Sequence, residues 1–109
     1  MKENDLVYVK HILEAIDKIG KYLGTISYDE FSKNDMVLDA VVRELEIIGE
    51  AAGNVSDELK NEHSEIPWRE SSDMRNFLIH EYFGVNPKNV WDTCKFNLTE
   101  LENQIKQLL

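Results

Sequence analysis

The stretch Met74-Arg-Asn-Phe-Leu-Ile-His-Glu-Tyr-Phe-Gly84 brings together Arg75, Asn76, His80 and Tyr82. Read as helix at about 100° per residue, Asn76 and His80 lie about 40° apart and one turn away. Arg75 and Tyr82 lie about 20° apart and two turns away, and the set fits an arc of about 160°, one side of a groove. A histidine titrates near neutrality and moves protons. An arginine presents a planar fork of donors to phosphate oxygens. An asparagine orients the imidazole or binds phosphate, and a tyrosine is a nucleophile or a hydrogen-bond donor. Together they suit metal-independent cleavage of RNA. The ribose 2′-hydroxyl is then the internal nucleophile, histidine the acid or base, and arginine the group that stabilises charge at phosphorus. One histidine is thin for two proton transfers, and a symmetric dimer would bring a second set across its two-fold axis. The same residues also read as an ordinary polar face or an interface network.

Other side chains offer less. Arg43 has Glu46 and Glu50 at helical spacing, so it is either an additional cation beside the site or part of an intrahelical ion-pair set. Glu44, Glu46 and Glu50 lack the Glu-x-x-His partner of a carboxylate metal site. His11 and His63 stand alone. Trp68 and Trp91 read as core or interface anchors before base-stacking platforms. Cys94 lies on an apolar stripe and reads as a small hydrophobe. No glycine-rich phosphate loop or dinucleotide fingerprint occurs, and no cofactor is expected.

The elements that carry these residues are helical throughout. Leu6, Val9, Leu13, Ile16, Ile19 and Leu23 form one stripe of a helix over about 5–23, which Gly24 stops. Ser27 and Glu30 form a capping-box pattern opening a short turn. Asn34 caps a second long helix with Val37, Leu38, Val41, Val42, Leu45, Ile48 and Ala52 at helical spacing, and Gly53-Asn54 interrupts it. Ser56 restarts a short helix. A third long segment covers 67–83, with a break near Ser71-Ser72-Asp73 and Gly84 as its cap. Asn86-Pro87 then opens the last helix, whose buried face is Val90, Trp91, Cys94, Leu98, Leu101, Ile105 and Leu108. No strand alternation appears. The prediction is an all-α antiparallel bundle of four to five helices, one domain over 1–109, with apolar surface left for a dimer interface.

Composition bounds the function. A chain of 109 residues with 42% hydrophobic and 30% charged residues is a single folded domain. Five glycines and two prolines are few for an all-β architecture. One cysteine excludes an internal disulfide, and fits a reducing cytoplasm. No run of 18 apolar residues spans a membrane, and the N-terminal stretch lacks a signal-peptide pattern. The net charge of −9 repels phosphate backbones, so any nucleic-acid contact must rest on a local site.

Arg75-Asn76-x3-His80-x-Tyr82 resembles the Arg-x4-His-x-Tyr motif of the HEPN superfamily, and specifically of HepT-like toxins of bacterial and archaeal toxin–antitoxin pairs. The resemblance covers nearly the whole chain. The first amphipathic helix, Val42-Arg-Glu-Leu-Glu-Ile-Ile-Gly-Glu-Ala-Ala52, Ile66-Pro-Trp68, Met74-Arg-Asn-x-Leu-Ile-His80 and Tyr82-Phe-Gly84 follow in the family's order. It implies a homodimeric helical bundle with two motifs meeting in a cleft. It also implies a metal-independent endoribonuclease of a type VII-like module, acting on cellular RNA, tRNA included. The implied partner is an MNT-type nucleotidyltransferase antitoxin that transfers AMP onto the motif tyrosine. Carried over by position, Arg75 and His80 are catalytic, Asn76 supports them and Tyr82 accepts AMP. A bulky anionic adduct there would obstruct the cleft and repel RNA. Ser71-Ser72-Asp73 depart from the apolar residues and glycine usual before Met-Arg-Asn, which makes Asp73, two residues from Arg75, a modulating neighbour along with Arg43. Two alternatives stand beside this reading. One is a catalytically silent helical dimer that docks a nucleotidyltransferase, and the other is a plain dimerisation bundle.

Overall fold

The computed structural model describes residues 1–74, the backbone of 79–80, and residues 84–109. Two long helices, α1 (Glu3–Leu23) and α3 (Asp35–Asn54), form the largest helix pair. The short α2 (Tyr28–Ser32) bridges them, and α4 (Asp57–Glu62) and α5 (Trp68–Ser72) follow. Ile79–His80 (β1) and Gly84–Val85 (β2) make a minimal antiparallel ladder. The C-terminal arm is α6 (Pro87–Asp92), a π-helical turn (Thr93–Asn97) and α7 (Leu98–Lys106). The all-α prediction holds in kind, with this one ladder added.

Local chemistry sets most boundaries. Ser27 and Glu30 form the reciprocal capping box at the start of α2. Asn34 accepts from the Val37 N–H at 3.1 Å to open α3, and Asn86 accepts from the Lys88 and Asn89 N–H groups to open α6, with Pro87 at its first position. Gly24 ends α1 at φ +50°, a conformation that costs a residue with a Cβ. Helix α3 ends at Asn54, at the Gly53-Asn54 pair expected to interrupt it. The core is one cluster. Val9, Ile12, Ile16 and Ile19 of α1 meet Val41, Leu45 and Ile48 of α3, and Val90, Leu98, Leu101 and Ile105 of the C-terminal arm close it.

A buried carboxylate ties the first helix to the end of the third. Asp5, 4% exposed, accepts from the Ser56 N–H at 2.8 Å and from its Oγ at 2.6 Å. The same Oγ accepts from the Leu59 N–H at 3.2 Å and so caps α4. The contact sets α1 and α3 antiparallel. Burial pushes the Asp5 carboxyl up, but the two Ser56 bonds, with Lys2 and the N-terminal amine, outweigh it and hold it below its ordinary value of 3.8. A depressed carboxyl contributes stability that is complete above pH 3.8 and fades as pH falls through the folded value. Asp5→Asn is therefore expected to cost about 1–3 kcal/mol at neutral pH. Chemical denaturation against pH should show the gap between parent and variant closing below pH 3.8; a gap constant with pH would refute the assignment.

Candidate active site

The described residues hold the motif at both ends. Arg75, Asn76 and Tyr82 themselves lie outside them, and His80 is described by its backbone alone. Upstream, Met74 is 8% exposed and belongs to the core cluster. Downstream, Ile79 pairs with Val85 and His80 with Gly84. The break expected near Ser71-Ser72-Asp73 is present, whereas the helical reading of the segment's end is corrected. α5 stops at Ser72, His80 sits on extended backbone, and the helical-wheel angle between Asn76 and His80 does not carry across. Gly84, expected as a helix cap, has φ +73° and lies opposite His80. Two β-branched residues, Ile79 and Val85, favour the ladder, and glycine takes its left-handed conformation without a Cβ penalty.

A seat of small residues positions the chain leading into the motif. A Cβ on Gly49 would stand 3.0 Å from the Ser71 carbonyl oxygen, and one on Gly53 would stand 2.9 Å from Ser72 Oγ. Two glycines one turn apart on α3 thus let α5 lie directly on the helix, and Ser71 is buried there. The close approach asks for glycine at positions 49 and 53 of α3, where a Cβ would press on the Ser71 carbonyl and the Ser72 hydroxyl. Asp73 Oδ2 lies 4.0 Å from Arg69 Nε, an exposed pair one turn apart.

Arg43 is exposed on α3 and makes no ion pair with Glu46 or Glu50 among the described residues. All three line a 380 Å³ cavity with Gly49, Gly53, Asn54 and Ser72, which sets Arg43 beside the chain entering the motif. Glu44 is buried while Glu50 is exposed, so the α3 carboxylates do not converge, and no metal-holding group of His, Cys, Asp and Glu occurs among the described residues. Trp68 is a core residue whose Nε1 donates to the His63 carbonyl at 3.0 Å. Trp91 is half-buried, edge-on to Tyr28 at 5.6 Å and tilted against Phe31 at 5.3 Å. His63 pairs with Glu65 at 3.4 Å. Cys94 is half-buried, and burial pushes its thiol up to about 12 against the opposing pull of Lys95, which leaves it unreactive at neutral pH. No helix among the described residues is long and apolar enough to cross a membrane.

A helical bundle whose sequence carries Arg-x4-His-x-Tyr between Met74 and Gly84 defines a protein of the HEPN superfamily. The family model described as "Ribonuclease HepT-like" matches residues 12–108. The chain belongs to the HepT-like ribonuclease family. A protein of Caldanaerobacter subterraneus subsp. tengcongensis named "Putative RNase" is 43% identical over 102 residues, covering 94% of this chain and 91% of that one. The "Probable ribonuclease HepT" of Thermococcus cleftensis is 40% identical over 108 residues, covering 99% and 98%. A Methanocaldococcus jannaschii protein named "Gamma-glutamylcyclotransferase and putative RNase" is 36% identical over 109 residues, and the chain spans 49% of its length. No solved structure matches.

Proposed function

We propose that the protein is a metal-independent endoribonuclease toxin working as a homodimer. The observation that carries this is the ribonuclease-family match over 12–108, which runs through Arg75, Asn76, His80 and Tyr82. His80 moves the protons and Arg75 binds the scissile phosphate, while Asn76 orients the pair. The ribose 2′-oxygen attacks phosphorus and the 5′-oxygen leaves with a proton, giving a 2′,3′-cyclic phosphate and a 5′-hydroxyl. Two copies facing across a two-fold axis supply an acid and a base together. RNA, tRNA included, is the substrate.

The partner is an MNT-type nucleotidyltransferase. The Tyr82 oxygen bonds to the α-phosphorus of ATP, pyrophosphate leaves, and the phenolic proton passes to solvent. The anionic adduct then repels RNA. Intact mass after incubation with the transferase and ATP should rise by one AMP per chain; no rise, or an equal rise in Tyr82→Phe, refutes this step.

The decisive experiment is incubation of purified protein with RNA in EDTA beside Arg75→Ala and His80→Ala. Cleavage by the parent that both variants lose supports the reading, and retained cleavage in either removes the site assignment. The net charge of −9 favours a second reading, a catalytically silent dimer that docks the transferase. That reading predicts transferase binding with no RNA cleavage.

A further inference from the structure

An acidic ribonuclease must offer RNA a cationic foothold, and three cavities among the described residues differ in this respect. The largest, 620 Å³ between α5 and α7, is lined by Glu65, Glu70, Asp73 and Glu100 with no described Lys or Arg. The cavity beside Arg43 has two glutamates against one cation. Only the third, 410 Å³ between the end of α3, α4 and α5, has cations in excess: Lys60 and Arg69 against Glu70. The hydroxyl-bearing residues Ser64 and Ser72 line it as well.

Of the two cations, Lys60 is held in place and Arg69 is exposed. Lys60 Nζ donates to the Gly53 carbonyl at 3.3 Å, which fixes the ammonium at the wall and leaves two of its three protons for another acceptor. Arg69 meets Asp73 only through Nε at 4.0 Å, so the two ends of its guanidinium fork make no described hydrogen bond. Gly53 leaves room for Ser72 Oγ at the floor, where a Cβ would stand 2.9 Å away. Ser72 is three residues before Arg75 in the sequence.

From this we infer that the Lys60–Arg69 cavity is an anion subsite that grips an RNA phosphate next to the one cleaved. The inference rests on the ribonuclease reading and adds to it two substrate-binding residues outside the Arg75–His80 motif. It also explains how a chain of net charge −9 holds a polyanion.

The test is equilibrium binding of a labelled single-stranded oligoribonucleotide across a salt series, in the His80→Ala background so that no cleavage intervenes. Each phosphate contact on a single strand contributes a slope of about −0.7 to log K against log salt. Lys60→Gln with Arg69→Gln is expected to weaken binding at least tenfold at low salt and to flatten the slope by about 1.4. Lys10→Gln with Lys21→Gln, on the exposed face of α1, should change neither, and thermal melts should show all variants folded. Glutamine at 60 retains a donor for Gly53, so a loss of binding is not a loss of the α3 end. Unchanged affinity and slope in a parent that cleaves RNA would overturn the subsite and leave the ribonuclease reading intact, as would an equal loss in the α1 control. A parent that neither binds nor cleaves RNA would overturn both.

Discussion

His80→Ala is expected to lower RNA cleavage by about 10²–10⁴-fold, the usual worth of a positioned proton-transfer group. Arg75→Ala is expected to lower it by about 10²–10³-fold, comparable to losing one preorganised donor to the transition-state charge. Arg75→Lys should restore the charge without the planar fork and recover only part of the rate. The measurement is initial rate on a defined RNA in EDTA, at matched concentrations above the dimer dissociation range. The parent's pH profile carries independent information. A single imidazole acting in both chains as acid and base gives a bell-shaped rate, and His80→Ala should abolish the bell along with the rate. A variant that keeps the bell at reduced amplitude would place the titrating group elsewhere. Melting temperature should move little, because these are site residues flanked by independently anchored segments: Met74 in the core on one side and the Val85 pairing on the other.

Phe31→Ala carries the largest expected stability effect, about 3–5 kcal/mol. Phe31 is wholly buried on a five-residue helix that is too short to persist alone, and its ring packs against Trp91 of α6 at 5.3 Å. Truncation would empty the volume between α2 and the C-terminal arm, where Tyr28 and Trp91 complete the aromatic contact. Against a domain stability of about 5–15 kcal/mol that is a large share. At about 4–8 °C per kcal/mol, the midpoint of thermal unfolding should fall by roughly 12 °C or more. A fall of only a few degrees would show that α2 contributes little to the bundle. Phe31→Leu, which refills most of the volume, should recover much of the loss.

What could be read from the sequence was what local chemistry decides. Ser27 with Glu30, Asn34, Ser56 and Asn86-Pro87 marked helix starts correctly, because a cap is made by residues within one turn of each other. The stripes of α1 and α3 likewise reported their buried faces. What escaped was set by partners distant in the chain. Nothing near Asp5 signals Ser56, and nothing near Gly49 signals that Ser71 will lie on it. The Ile79–Val85 pairing overrode the helical reading of the end of the 67–83 segment. The motif residues are proposed from type and spacing, which require no tertiary information. Lys60 and Arg69 are not, because only the fold brings them to one cavity.

The C-terminal arm repays one more thought. In an unbroken α-helix Thr93 and Leu98 would point about 140° apart, and one of them would face water. Both are buried, because the π-turn between them closes with the Leu98 N–H donating to the Thr93 carbonyl and so takes up one surplus residue. Leu101 and Ile105 owe their phase to that wide turn. Closing the turn as α-helix with every residue kept would mend the hydrogen-bond ladder and yet swing the whole tail about 100° off the bundle, whereas deleting one residue of the turn would mend it with the tail in place. The wide turn, rather than the count of residues, keeps the downstream contacts in place.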